Sequence, residues 1–270
     1  MKWCTLWLAT LSTTAMLPAA AAEAPAKATA WPTTDAKPWP WGVFEAENLK
    51  KPRPKPPFDL TGTWTVQLRP EDGGVNFLPL PKFTPKAQAT YEEGLKANAE
   101  GKAYMDDPGL CWPAGMPRWL TRVWPIEFMQ YSTVIVALQG LYDVPRWIYL
   151  DGRGHANPDL VEATYSGDSV GRWEGSTLVV DTTNFETKHH WVIQGVPISE
   201  QFHIVERIRM APDGQSFTDE LTMTDPQNWE GEWQTSKRFV PVKGEDVAEV
   251  HCLPDANEHI TATHPEHNDR

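Results

Sequence analysis

Residues 202–210 read FHIVERIRM. Side chains alternate between the two faces of a strand, so Phe202, Ile204, Glu206, Ile208 and Met210 share one face. His203, Val205, Arg207 and Arg209 share the other. The first row is apolar except for Glu206 at its centre. The same period runs through SFTDELTMT, where Phe217, Asp219, Leu221 and Met223 lie on one side. The intervening APDGQ, with Asp213-Gly214, predicts a hairpin. That turn sets Glu206 near Leu221 and diagonal to Asp219, and diagonal cross-strand neighbours lie roughly 7–8 Å apart.

Strand patterns dominate the chain beyond Pro125. IEFMQ, TVIVALQ and RWIYLDG come first, then SVGRW and STLVVDT around a tight turn at Glu174-Gly175. EWQTSKRFV follows the hairpin, and DVAEVHC offers a last short pairing. Upstream, DLTGTWTVQLR predicts a turn and a first strand. Residues 84–101 predict the one clear helix: Thr84 caps it, Pro85 suits its first position, and Ala87, Tyr91 and Leu95 mark one face. Strands joined in sequence make a meander, and a meander of eight to ten strands removes its exposed edges by closing. The expected fold is therefore mainly β, an antiparallel up-and-down barrel of about 8–10 strands with one inserted helix.

The two ends lack these periods. Residues 1–22 combine Lys2, a short apolar core and AAAA before Glu23, which reads as a secretory signal peptide cleaved after Ala22. Residues 23–57 are rich in Pro, Ala and Lys and read as an extended arm. Residues 58–253 form the barrel domain, and 254–270 a polar tail. Export leaves two cysteines, Cys111 and Cys252, which suggest one disulfide in an oxidising compartment; two unrelated buried thiols are the alternative. The expected location is periplasmic or secreted. No later run is long or apolar enough for membrane insertion. The formal charge of −12 argues against nucleic acid and anionic membranes as partners. Fourteen tryptophans, two of them in the leader, either fill the core or line a pocket for a flat or apolar ligand.

The segment Gly62-Thr63-Trp64 resembles the G-x-W signature of lipocalins and the wider calycin barrels. The resemblance implies a tryptophan closing one barrel end beneath an arginine of the last strand, for which Arg238 is the candidate. The helix and cysteine loop after the first strand depart from that pattern. The ordered set DLTGTW, CWPAGMPR, IYLDGRGH, SVGRWEGSTLVVDT and HIVERIR also resembles a group of secreted bacterial proteins of unknown function, over residues 58–252. That similarity implies no particular chemistry.

Candidate chemistry concentrates at three places. Glu206 and Asp219 on one apolar face can act as acid and base, with burial raising a carboxyl pKa; a rim position, a bulge, or neutralisation by a buried arginine are the structural alternatives. Asp151, Arg153 and His155 in LDGRGH follow a strand end. There His155 suits a general base and Arg153 suits a carboxylate or oxyanion, while a polar turn held by Asp151 is the bland reading. His189, His190 and Trp191 lie in the long connection 185–201, a possible lid. Arg118 between Trp112 and Trp119, together with Trp147, Trp173 and His203, completes the ligand-binding candidates. No metal-ligand spacing, dinucleotide fingerprint, phosphate loop or nucleophile elbow is present, so neither a metal nor a cofactor is expected.

Two main readings stand. One is an exported barrel binding a small apolar or aromatic molecule in its cavity. The other is a cofactor-free hydrolase, lyase or isomerase on the same barrel, using Glu206 with His155 or Asp219. A structural envelope protein docking through its Pro-rich arm is a third.

Overall fold

The computed structural model describes residues 42–69, 74–100, 107–141 and 144–252. The leader, the first part of the arm and the tail 254–270 lie outside them. The described strands, in chain order, are β1 (Gly62–Val66), β2 (Lys82–Phe83), β3 (Ile126–Gln130), β4 (Val134–Gln139), β5 (Arg146–Tyr149), β6 (Asp168–Glu174), β7 (Thr177–Thr183), β8 (Trp191–Ile193), β9 (Val196–Pro197), β10 (His203–Met210), β11 (Phe217–Thr224), β12 (Trp229–Glu230) and β13 (Glu232–Pro241). Nine of them close into a barrel in the order β1-β13-β11-β10-β7-β6-β5-β4-β3, with β3 returning to β1. Two small pairs, β2 with β12 and β8 with β9, sit outside that ring.

The expected barrel is present, with one topological correction. Every pairing in the ring is antiparallel except β5 with β6, which is parallel, in register at Ile148↔Ser169 and Tyr149↔Val170. A parallel neighbour cannot be reached by a tight turn. The chain from 150 to 167 therefore has to travel back along the barrel before entering β6, so the barrel is not a pure up-and-down meander. Elsewhere the turns are short. Glu174 pairs with Thr177, so the β6–β7 loop is Gly175-Ser176, with Gly175 at φ +58°. Met210 pairs with Phe217 across the Asp213-Gly214 turn.

The inner face is layered. At one end Phe217 stacks on Phe239 at 4.7 Å and meets Trp64 and Phe128 edge-on. The Trp64 indole donates to Leu60 O at 2.8 Å. Arg238 does not cover this tryptophan. Phe239 and Lys237 on either side of it are buried, so the period of two turns Arg238 outward, where it donates to Ser216 Oγ. At the other end Met223, Trp229 and Trp233 pack with Phe202, and Phe77 and Phe83 from the segment after β1 close over Trp233. Lys237, also inward, donates to the carbonyls of Gly74 and Asn76 and fastens that segment to the wall.

The helix α1 is short, Ala46–Leu49. The longer helix α2 spans Pro85–Ala99, and Thr84 caps it by accepting from Ala87 N. Its buried face is Ala87, Gly94 and Ala97, while Leu95 is half exposed. The face differs from the expected one because the helix meets the β8–β9 turn at a glycine pair. A Cβ on Gly94 would lie 3.1 Å from the Gly195 Cα. The segment 185–201 is correspondingly packed, with Val192, Ile193 and Val196 buried in the core. Cys111 and Cys252 form a disulfide, and Val250 bridges to Leu141 nearby.

Gly195 has φ +81°, and a Cβ there would meet Thr90 O and Tyr91 Cα, both at 3.1 Å. Neither backbone atom can swing aside. Gly195→Ala is therefore expected to destabilise the protein by about 1–3 kcal/mol, measured by urea denaturation. An unchanged midpoint would show that the helix and hairpin are not held in this contact.

Candidate functional site

Glu206 faces the barrel interior and is fully buried. The register pairs it with Leu221 and pairs Asp219 with Ile208, which makes the two acids diagonal neighbours. Their third member is Arg146 on β5. Its guanidinium donates from Nη1 to Glu206 Oε1 at 2.8 Å and from Nη2 to Oε2, a two-point fork. On its way across the wall it also bonds Ser169 Oγ on β6 at 3.3 Å and Thr182 Oγ1 on β7 at 3.1 Å. Arg146 shares its inward phase with Ile148, so the alternation in RWIY held a signal for it. Against the oily 202–210 row, Glu206 is thus the counter-ion of an arginine.

Asp219 is the strained member of the set. Burial first, then the charge and hydrogen bond of Glu206, push its carboxyl well above the ordinary value of 3.8, against the pull of Arg146. Two buried carboxyls beside a single guanidinium favour a proton on Asp219. Its Oδ1 is buried and accepts no hydrogen bond among the described residues.

The second cluster lies on the outer face of the same strands. Val205 pairs with Asp181 and Glu206 with Val180, so Asp181 points away from the interior that Glu206 faces. His155 Nδ1 lies 2.9 Å from Asp168 Oδ2 and its Nε2 lies 2.9 Å from Asp181 Oδ1. His203 Nε2 reaches the same Asp181 oxygen at 2.9 Å. Burial disfavours charge on His155, but the two carboxylates outweigh it and raise its pKa from 6.5 to about 9. At neutral pH both ring nitrogens donate, so His155 is a cationic tether that pins residues 151–167 to β6 and β7. The expectation of a general base at His155 is corrected on that ground. A joint role with Glu206 is corrected too, because the barrel wall separates them. The tether stabilises the fold fully below pH 6.5 and is lost as pH rises through about 9.

The returning segment encloses a cleft of about 790 Å³ against the outside of β5. Its walls include Trp147, Tyr149, Val144, Pro145, Leu160 and Val161, with Arg153, Asn157, Glu162, Thr164, Ser166, Asp168 and Asn184 as the polar and charged elements. Trp147 and Tyr149 face outward because Arg146 and Ile148 face in. Arg153 lies over the Tyr149 ring, 4.1 Å from its centroid, and forks onto Asp151 with Nε to Oδ1 at 2.9 Å and Nη2 to Oδ2 at 2.7 Å. Asp151 is fixed in turn by Asn48 Nδ2 at 2.9 Å. The arm touches the domain at Val43, Phe44 and Asn48. Val43 O accepts from Thr133 at 2.7 Å, and Phe44 meets Trp147 edge-on at 6.2 Å.

Of the predicted binding residues, Trp147 and Arg153 line the cleft and Asp151 sits behind it. His203 is on the outer wall, bound to Asp181. The others lie elsewhere, and their assignment to one ligand site is corrected. Trp173 packs edge-on against Phe58 at a barrel end. His190 is buried and bonded to Glu186 O at 2.7 Å, and burial lowers its pKa to about 4, so it is neutral. Trp191 packs with Ala97 of α2, and Arg118 is buried in the turn 118–121, beside His190. The residues missed were Arg146, Asp168 and Asp181, along with the apolar pair Leu160 and Val161. Among the described residues, no group of His, Cys, Asp and Glu side chains is placed to hold a metal. Comparison with protein-family models and with curated proteins finds no match to this chain.

Two substitutions separate the inner charges. Asp219→Asn keeps a donor beside Glu206 and removes the ionisable group. A carboxyl with a raised folded pKa contributes fully below its ordinary value, and that contribution fades as pH rises toward the folded pKa. The variant is therefore expected to be more stable than the wild type at pH 7. The gap should close as pH falls below the ordinary carboxyl value of 3.8, read from denaturant midpoints across pH. Arg146→Met leaves Glu206 buried without its partner, and a loss of about 3–5 kcal/mol is expected in the same assay.

Proposed function

We propose that this chain is an exported barrel that binds a small apolar or aromatic molecule in the cleft outside β5, beneath the segment 151–167. The carrying observation is the cleft itself. Ligand sites typically enclose about 300–1,000 Å³ with mostly apolar walls and a few fixed polar groups, and this one encloses about 790 Å³. Trp147 is 37% exposed, and Leu160 and Val161 are more exposed still. Apolar side chains gathered around a concave surface mark an interaction site rather than a random scatter. The inner charges do not support the acid–base alternative, since Glu206 is fully buried and forked by Arg146.

Export is supported by the leader pattern of residues 1–22 and by the Cys111–Cys252 disulfide. Among the described residues no helix is long and apolar enough to cross a membrane. Kinship with calycins is supported by Trp64 at a barrel end, although without the covering arginine.

The cleft makes Trp147 the residue to change. Its ring stands on the outer wall, so Trp147→Ala should leave the near-ultraviolet dichroism of the core close to native. The variant should bind 2-naphthalenemethanol roughly tenfold more weakly than wild type in a calorimetric titration. Undiminished affinity would place the ligand elsewhere, and mass spectrometry of molecules retained through purification gives an independent reading of the occupant.

A further inference from the structure

Taking the cleft as the ligand site, on which this rests, we infer that its occupant pairs an aromatic ring with a protonated amine, the ring on Trp147 and the ammonium at Asp168. The segment that forms the cleft, residues 151–168, carries four carboxylates, Asp151, Asp159, Glu162 and Asp168, against Arg153 and His155. Both cations are already committed within the protein. Arg153 is forked by Asp151 and laid over Tyr149. His155 is shared between Asp168 and Asp181. An anionic ligand approaching Arg153 would meet Asp151 and Asp168 in the same field. That field is felt at the Tyr149 phenol, which is pushed up by burial and by both aspartates in spite of Arg153.

Asp168 is the anchor because of how its oxygens are used. The cleft-lining carboxylate takes His155 Nδ1 at 2.9 Å and Ala156 N at 2.8 Å, both on Oδ2. Among the described residues no donor reaches Oδ1, and the side chain remains 16% exposed. A partly desolvated carboxylate with one oxygen left over is a site for a charged donor. The exposed indole of Trp147 adds the face that attracts an adjoining cation. The overall charge of −12 steers cations toward the protein in the same sense.

The test uses three probes with one ring: 2-naphthylmethylamine, 2-naphthalenemethanol and 2-naphthoate, titrated calorimetrically into the mature protein at pH 7. The amine is expected to bind at least about tenfold tighter than the carboxylate, with the alcohol between. The gap should narrow as salt rises from about 0.05 to about 0.5 M. Asp168→Asn should bring the amine down to the alcohol and spare the alcohol. If that variant does not fold, Glu162→Gln serves, lowering the amine's affinity relative to the alcohol's. Naphthoate binding as well as or better than the amine, with affinity still dependent on Trp147, overturns the charge assignment and leaves the cleft as an aromatic site. Absence of binding by all three probes overturns the cleft reading itself.

Discussion

The fork between Arg146 and Glu206 holds the barrel in its particular closure. In ring order β5, β6, β7 and β10 are neighbours, and the Arg146 side chain spans them, bonding Ser169 and Thr182 before it reaches Glu206. Removing two ions from water costs several kcal/mol each, and only good geometry with further hydrogen bonds offsets it. Both conditions are met here, but only in one register. A one-residue slip of β10 would turn Glu206 to the outer face and leave the buried guanidinium with only the Ser169 and Thr182 hydroxyls. The ion pair therefore acts less as a source of stability than as a penalty on wrong pairings. It also spans the weakest specified step of the ring, the parallel contact of β5 with β6, which has only two residue pairs in register.

That parallel step links the inside of the barrel to its outside. The chain must run back over the wall between β5 and β6, and the returning segment makes the cleft. Asp181 and Thr182, adjacent in β7, serve the two sides in turn: Thr182 bonds Arg146 within, Asp181 bonds His155 without. The binding reading expects a ligand in the barrel's own cavity. Here the inner face carries aromatic layers and an ionic layer, and the concave surface formed by 144–168 lies against the outer wall.

Much of the fold was legible because period-two alternation is strong where one face of a strand is buried. The 202–224 hairpin, its register and the diagonal of Glu206 and Asp219 follow from alternation and Asp213-Gly214 alone. The parallel step was not legible, since RWIY and DSVGRWE look the same whichever way they pair. Trp147 and Arg153 were visible as types, an aromatic next to a strand end and a cation in a polar turn. Which partners they would have was not, because Asp151 is claimed by Asn48 from more than a hundred residues upstream. Arg146 stands in phase with the inward Ile148, but nothing in that alternation names Glu206 as its partner. The helix face was misjudged for a different reason: Gly94 contributes no hydrophobicity to a periodic pattern, yet the lack of a side chain is what allows Gly195 to approach.

The buried Asn48 joins two regions that the sequence divides. It bonds Gly42 O and Asp151, and accepts from Arg53 at 2.6 Å, while Asp151 holds the cleft's arginine. One side chain thus connects the seating of the arm to the wall of the cleft. By thermodynamic reciprocity, whatever an occupant gains from an arm in place, the arm gains in residence from the occupant. A boundary drawn at residue 58, where the barrel pattern begins, would cut through that linkage. The contacts that hold the cleft's arginine begin upstream of the sheet.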